Sequence, residues 1–506
     1  MEKRLALAGY LPVALFISFV TIVVGFYSFY SSYFIPAIHD EMSYLFQART
    51  FLLGRVVNPV HPERLFFDAY HIINEGIFAS KYFPGFALTL MPFELFKMPF
   101  LNPIFFYGLQ LVLVFFLAKE MFDLKTAYLS VVLTAFSPQI VIQSCFLLSH
   151  LPCACFLLAF LYGFMKWQKT ERIFWIIFGG IFWAAAFLTR PTTAVGVAFP
   201  IALLTLWRFF KIRKKQYLFQ IGIWMLMVAL AIILYGAYNK AVTGSFKKSP
   251  FDLYAEIHAP FHRYGFNTWN KYRDQANGPR VDRAWNEYYH NHTFLDGLVI
   301  AGARLELFIE WLFPGLFLGL FFILSWFFHL RDEDPRHWLI FFIFVSLQVV
   351  YVPHWYPGML AFGSNYLYET SALVLMAIAN MLIQIVGYVR SGRRRNYLIL
   401  ASLCWVISSF VFLNNAGLWV QNSRALKRHL HALVQAEKID KGVIFVRYSK
   451  NHKLDWDLID NSPNLDSPII FALDRGEENS KLRKYYPEHA FYLFDEASLT
   501  LNRLFV

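Results

Sequence analysis

The chain has 506 residues, 57% of them hydrophobic and only 16% charged, and several apolar runs reach the roughly 20 residues that a bilayer-spanning helix needs. This excludes an ordinary soluble enzyme and points to a polytopic membrane protein. The net charge of +12 comes without any RNA- or DNA-binding motif, and lysines and arginines retained in cytoplasmic loops account for it.

The first apolar run, Leu5 to Tyr30, follows Met1-Glu2-Lys3-Arg4. It is too long for the apolar core of a signal peptide and lacks an obvious small-residue cleavage site, so it reads as the first membrane helix. Ser31 to about Leu101 is a long external loop. It opens on His39-Asp40-Glu41, after which Tyr44, Leu45, Ala48 and Leu52 recur at helical spacing and Gly54 supplies a stop. The spacing predicts a short amphipathic helix on the membrane surface, its acidic end at a cavity mouth. Asp40 has two readings there: an N-cap accepting a backbone N–H, or a carboxylate available for chemistry. The loop continues through His61, Glu63, Asp68, His71 and Glu75 to Lys81-Tyr82-Phe83-Pro84-Gly85. Phe86–Phe96 is apolar but short and holds Pro92 and Glu94, which predicts a surface or re-entrant helix.

Further spans are expected at approximately Pro103–Ala118, Ala127–Ser144, His150–Met165, Ile173–Thr189, Thr192–Trp207, Leu218–Tyr238, Trp311–Phe328, Trp338–Val352, Tyr366–Val389 and Tyr397–Trp419. With the first helix that makes about eleven. On one side the short loops are basic: Lys119 to Lys125, Lys166 to Arg172, Arg208 to Lys215, Arg331 to Arg336 and Arg390 to Arg395. The positive-inside rule makes that side, with the N-terminus, cytoplasmic. The opposite face collects the first loop, the Cys145–Ser149 turn, Arg190, a second loop at 239–309, His354–Asn365 and everything after Trp419. The tail, 421–506, is polar enough to be a small extracytoplasmic α/β domain, with strands at Gly442–Val446, Ile469–Leu473 and Phe491–Phe494 and a helix at Glu478–Lys484. We expect it to modulate the acceptor rather than to perform chemistry. The four cysteines, Cys145, Cys153, Cys155 and Cys404, lie in or beside apolar runs and predict neither a disulfide nor a zinc site.

The external face therefore holds cations where that rule disfavours them: Arg190, Lys81, His150, Arg263, Arg304 and His354. Ionisable groups at membrane depth are costly and mark function. Set beside two carboxylates, they suit a ligand with an anionic head and an apolar tail. Arginine pairs bidentately with phosphate, and a carboxylate can take a proton from an acceptor hydroxyl. Each has a plainer reading: Arg190 snorkelling to lipid headgroups, His150 a satisfied helix-end histidine, Lys81 an interfacial lysine beside Tyr82. Tyr366 and Tyr368 are candidates to line a donor site, against an ordinary aromatic belt. A divalent metal could be held by a set drawn from His39, Asp40, Glu41, His61 and His71, with Asp40, Glu41 and His61 foremost, although their spacing matches no fixed metal motif.

Several short motifs recur in an order that resembles the membrane-embedded C-fold glycosyltransferases, near the protein mannosyltransferase and aminoarabinose transferase families. They are Asp40-Glu41-x-x-Tyr44, Phe67-Asp68, Ile73-Asn74-Glu75-Gly76, Ser80-Lys81-Tyr82-Phe83-Pro84-Gly85, Leu148-Ser149-His150, Leu188-Thr189-Arg190-Pro191, Tyr238-Asn239-x-x-x-Thr243-Gly244 and Gly363-Ser364-Asn365-Tyr366-x-Tyr368-Glu369. The resemblance implies an all-α polytopic fold with an outward active site. It also implies a polyprenyl-phosphate-linked sugar donor and a glycan, lipid or protein acceptor. Asp40 would be the base and Glu41 an acceptor or metal contact. On the outer-face reading, with these motifs, Lys81, Tyr82, His150, Arg190, Arg304, His354, Asn365 and Tyr366 are the candidate donor contacts. Relatives often carry arginine where this chain has Asn365.

The expected architecture is thus a transmembrane glycosyltransferase domain, 1–420, and a small soluble domain, 421–506, in the cell inner (plasma) membrane. The rival readings are a lipid-linked saccharide transporter, and a catalytically inactive protein that binds lipid-linked sugar. Transporters tend to show paired halves with broken helices, and no such pairing is visible here.

Overall fold

The computed structural model describes residues 2–212, 215–259, 263–267, 291–330, 334–358, 363–388, 392–452 and 457–504. Of the expected cytoplasmic basic loops, Arg213, Lys214, Arg331 and Arg390 lie outside the described residues. The chain divides into two compact units, one formed by 1–31, 100–234 and 293–418, the other by 32–99, 235–292 and 419–506.

The first unit is helical. Among the described residues the chain has seven helices long and apolar enough to cross a membrane: Tyr10–Ser32, Leu101–Met121, His150–Thr170, Pro191–Lys211, Gln216–Thr243, Tyr368–Val386 and Ser402–Ala436. The expected Ala127–Ser144 span is instead a pair, Leu124–Phe136 and Pro138–Cys145, bent by 63°, and counting it as one span raises the total to eight. Proline 138 explains the break, because it has no N–H to continue the ladder and disfavours a helical residue before it. Ile173–Thr189 and Pro335–Tyr351 are apolar helices that are short for a span, and the expected Trp311–Phe328 segment contains a helix at Leu316–His329. The expected eleven segments are therefore helical, but fewer have spanning length.

His150–Thr170 and Tyr368–Val386 are buried over most of their length, so their apolar side chains form the centre of this unit with Tyr107, Leu111, Val114 and Leu347. Tyr10–Ser32 and Gln216–Thr243 instead bare long apolar faces, the pattern of a helix solvated by lipid. Helices His150–Thr170 and Ile173–Thr189 approach closely because Gly163 meets Gly179: a Cβ added at Gly163 would lie 3.1 Å from the Gly179 Cα.

The second unit joins pieces far apart in sequence. The acidic helix, His39–Leu52, packs on the short helix Pro84–Leu95 and on the strand Ile77–Ser80. Pro84–Leu95, with 12 residues, rises about 18 Å and is too short to span a hydrocarbon core of about 30 Å, in line with a surface or re-entrant element. Ile72–Glu75 and Ile77–Ser80 form an antiparallel hairpin turned at Gly76, whose φ of +73° only glycine adopts without cost. The tail forms a four-stranded sheet in the order Ile469–Leu473, Gly442–Arg447, Ala490–Asp495, Thr500–Leu504; the first three strands are parallel and the last is antiparallel. That last strand was not expected, because it presents just two widely spaced leucines among polar residues. The expected helix at Glu478–Lys484 is part of a 3₁₀ segment, Gly476–Lys484.

The tail from Trp419 onward shares its unit with 32–99 and 235–292. A single helix, Gly392–Ala436, runs through residue 420 with no proline inside it. One apolar core then joins Phe46, Phe66, Phe67, Ile72 and Phe78 of the first loop to Val443, Phe445, Ile470 and Phe491 of the tail.

Candidate active site

The acidic helix starts at His39, with Ile38 at the N-cap position. Asp40 is therefore inside the first turn and is not the cap. Glu41 does that work: its Oε2 accepts from the backbone N–H groups of Ala37 at 2.9 Å and Ile38 at 3.2 Å. The helix is also not amphipathic on a surface. Glu41 through Ala48 are all buried, because Tyr44 stacks on Tyr82 and meets Phe86 edge-on, and Phe46 packs on Phe78. Its polar residues bond to neighbouring segments: Ser43 to the His71 carbonyl and to Ser80, and the Gln47 amide nitrogen donates to the Tyr82 carbonyl and the Tyr238 hydroxyl.

The hairpin supplies the rest. Its register pairs Ile72 with Ser80, so His71 and Lys81 flank its open end, and the Lys81 N–H donates to the His71 carbonyl at 3.0 Å. His71 is held at φ +59°, a left-handed conformation uncommon for a residue with a side chain, and its N–H donates to the Tyr254 hydroxyl. This turns its ring toward the acidic helix. His71 Nδ1 lies 3.0 Å from Asp40 Oδ1 and 2.8 Å from the Tyr82 hydroxyl, and that hydroxyl also donates to Asp40 Oδ1. His39 Nε2 is 3.9 Å from Asp40 Oδ2, and its ring meets His71 edge-on. Behind them Lys81 is buried, its ammonium over the rings of Phe251 at 4.8 Å and Tyr254 at 4.9 Å.

The electrostatics follow from this packing. Burial raises the Asp40 carboxyl, but electrostatic attraction to His39, His71 and Lys81, with a hydrogen bond from His71, outweighs it and holds the group well below the usual carboxylate range. Burial, with Lys81 and His39 nearby, depresses His71, more than Asp40 can offset. At neutral pH the arrangement is an ionised Asp40 beside a neutral His71, and the Asp40 side chain keeps 27% of its surface open.

His39, Asp40 and His71 each offer a ligand atom within 4.8 Å of the others. Two imidazoles and one carboxylate fit a divalent ion such as zinc, with positions left for an exogenous ligand. Of the five residues named as possible metal ligands, His39, Asp40 and His71 come together, and Glu41 and His61 do not. Glu41 turns the other way, to Arg424. His61 lies among Phe67, Tyr485 and Tyr486 and accepts from the Glu63 N–H. His39 and His71 stand 32 positions apart in the chain, and only the hairpin brings them together.

The remaining expected site residues gather in the first unit. Arg190 stands between helices Ile173–Thr189 and Pro191–Ile212, its Nε 3.1 Å from Glu369 Oε1. The same carboxylate lies 3.5 Å from His150 Nδ1, and the Arg190 guanidinium reaches Ser149 and the Tyr351 hydroxyl, both at 3.3 Å. Glu369, fully buried at the start of its helix, is the residue that sequence reasoning named without assigning a role. Arg304 is also fully buried. It donates to the carbonyls of Tyr351, His354 and Tyr356, each at 2.6 Å, and stacks over Tyr366 at 4.8 Å. These donors hold a loop. His354 Nε2 bonds to the Tyr366 hydroxyl at 2.7 Å, and no described group donates to the buried Asn365 Oδ1.

Comparison with known proteins agrees with this architecture. Residues 81–235 match the family model described as dolichyl-phosphate-mannose-protein mannosyltransferase. No curated protein matches the sequence. Among solved structures, ArnT from Cupriavidus metallidurans bound to undecaprenyl phosphate superposes with a TM-score of 0.54 at 12% identity, covering 96% of this chain and 93% of that one. The apo oligosaccharyltransferase of Archaeoglobus fulgidus gives 0.50 at 13% identity, covering 85% of this chain; the chain spans 62% of that protein's length. The same oligosaccharyltransferase in complex with Zn and sulfate gives 0.50 at 14% identity, over 85% of this chain and 60% of that one. The chain shares the fold of these solved structures, and its residues 81–235 are similar to the mannosyltransferase family model.

Proposed function

We propose that this C-fold membrane protein moves one sugar from a polyprenyl-phosphate donor to an extracytoplasmic acceptor hydroxyl, with Asp40 as the base. The observation that carries the reading is the partly open Asp40 carboxyl group, oriented by His71 and Tyr82. The acceptor oxygen attacks the anomeric carbon, its proton passes to Asp40, and the bond from that carbon to the phosphate oxygen breaks with inversion. Polyprenyl phosphate leaves with the bonding electrons. An ionised base at neutral pH is ready for this step, and the neutral His71 holds it without neutralising it. ArnT bound to undecaprenyl phosphate supports a lipid-phosphate donor. A glycan, a lipid or a protein could supply the acceptor hydroxyl, and the protein would sit in the inner (plasma) membrane with its N-terminus cytoplasmic. A divalent cation, if used, would be held by His39, Asp40 and His71 and would supply positive charge near the reacting phosphate.

Asp40→Asn tests this reading. Asp40 does not cap its helix, so the amide leaves the helix start intact. The variant should fold, bind polyprenyl phosphate and lose about 10²–10⁴-fold in sugar transfer, measured with radiolabelled lipid-linked sugar in membranes containing the acceptor. Wild-type turnover by a folded Asp40→Asn protein would remove Asp40 from the reaction.

A further inference from the structure

The strongest unassigned feature is a buried ion pair between the acidic helix and the helix that leads into the tail. Arg424 and Glu41 are both fully buried, and the Arg424 Nη2 lies 3.3 and 3.4 Å from the two Glu41 oxygens. Arg424 Nε donates to the Ile35 carbonyl at 2.9 Å, while Nη1 bonds to the Val420 carbonyl and to Ser423. Glu41 passes the constraint on, since its Oε2 accepts from the N–H groups of Ala37 and Ile38. One guanidinium thus grips both ends of the turn from Ile35 to Glu41, the turn that carries His39 and Asp40.

A second contact from the tail holds the opposite wall. Asp457 accepts from the Tyr70 N–H at 3.3 Å, next to His71, and from the Tyr448 hydroxyl at 2.8 Å. Lys427, one turn beyond Arg424, bonds to Asp460 at 2.7 Å and touches the Met42 sulfur. Burying a charge pair gains little over burying apolar side chains of the same volume. Its value is directional: the planar fork of arginine fixes the angle of what it holds.

We infer that Arg424 is a positioning residue for Asp40, acting through Glu41 and the Ile35 carbonyl, and that the tail is thereby part of the catalytic unit. The catalytic half of this inference rests on Asp40 being the base; the mechanical half does not. The test pairs amide exchange with kinetics in the full-length protein, using Arg424→Gln, Arg424→Lys and Glu41→Gln. In Arg424→Gln the Ala37 and Ile38 amides should exchange at least about tenfold faster, while those of strand Gly442–Arg447 keep their protection. The kcat should fall on the order of ten- to a hundredfold, with KM for the lipid donor held within about twofold, because the base is misplaced and the donor site is not. Arg424→Lys should recover part of kcat, since a point charge can pair with Glu41 but cannot also hold Ile35. If Arg424→Gln does not fold, Glu41→Gln, which keeps an acceptor oxygen, should show the same local loosening.

Unchanged exchange at Ala37 and Ile38 would overturn the inference. So would loosening spread equally over the strand, or local loosening with an unchanged kcat. Normal turnover by Asp40→Asn is a separate result: it removes the base and the catalytic role, while the exchange data still judge the mechanical link.

Discussion

Replacing Arg304 with methionine separates a structural arginine from a phosphate-binding one. The side chain is fully buried, and its donors reach the carbonyls of Tyr351, His354 and Tyr356. Methionine fills most of the volume but donates nothing, so three carbonyls lose a charged partner. Each charge-assisted bond is worth about 1.5–3 kcal/mol, and contact with the Tyr366 ring adds about 0.5–2 kcal/mol. Against this, the variant no longer has to bury a guanidinium, which costs several kcal/mol. His354 and Tyr356 are only half-buried, so water can replace part of what is lost there. The net local loss is then about 3 kcal/mol, or roughly a hundredfold in the opening equilibrium of the loop. Amide exchange in detergent should show that acceleration at the His354 N–H, which donates to the Tyr351 carbonyl, with the helix cores unaffected. Affinity for polyprenyl phosphate should fall less than the loop loosens. Full protection at His354 combined with lost lipid binding would refute the reasoning and make Arg304 a headgroup contact.

Arg190→Ala should weaken polyprenyl-phosphate binding strongly and Arg190→Lys should restore only part of it, because a lysine cannot reproduce the bidentate fork; equal affinity in all three proteins would make Arg190 a snorkelling or purely structural residue. The His71 imidazole is depressed below its unfolded value, so its protons favour the unfolded state. Its share of stability is complete above about pH 6.5 and is lost as pH falls below that, with a slope of at most about 1.4 kcal/mol per unit; unfolding midpoints of wild type and His71→Gln should therefore converge in acid. Reporter fusions placed after Val389 and after Trp419 should report cytoplasm and exterior respectively, and the reverse result would overturn the proposed orientation.

Apolar runs were sufficient to locate the helices of the first unit, because lipid exposure writes itself as length and hydropathy. The long first loop and its acidic helix were equally plain, down to Gly54 just beyond the helix end. The motifs from Asp40-Glu41 to Tyr368-Glu369 also pointed to the fold that the solved structures share. Partners were another matter. Glu41 stands beside Asp40 in sequence, and both read as reactive carboxylates. In the fold Glu41 is sealed against Arg424, 383 positions away, while Asp40 faces His71. Arg190 and Arg304 both read as free outer-face cations, yet one is paired with Glu369 and the other is spent on backbone carbonyls. Spacing along a helix determines which face a side chain occupies, but the charge it meets there comes from another segment. Only tertiary packing chooses that segment, and with it which ionised groups stay open to a substrate.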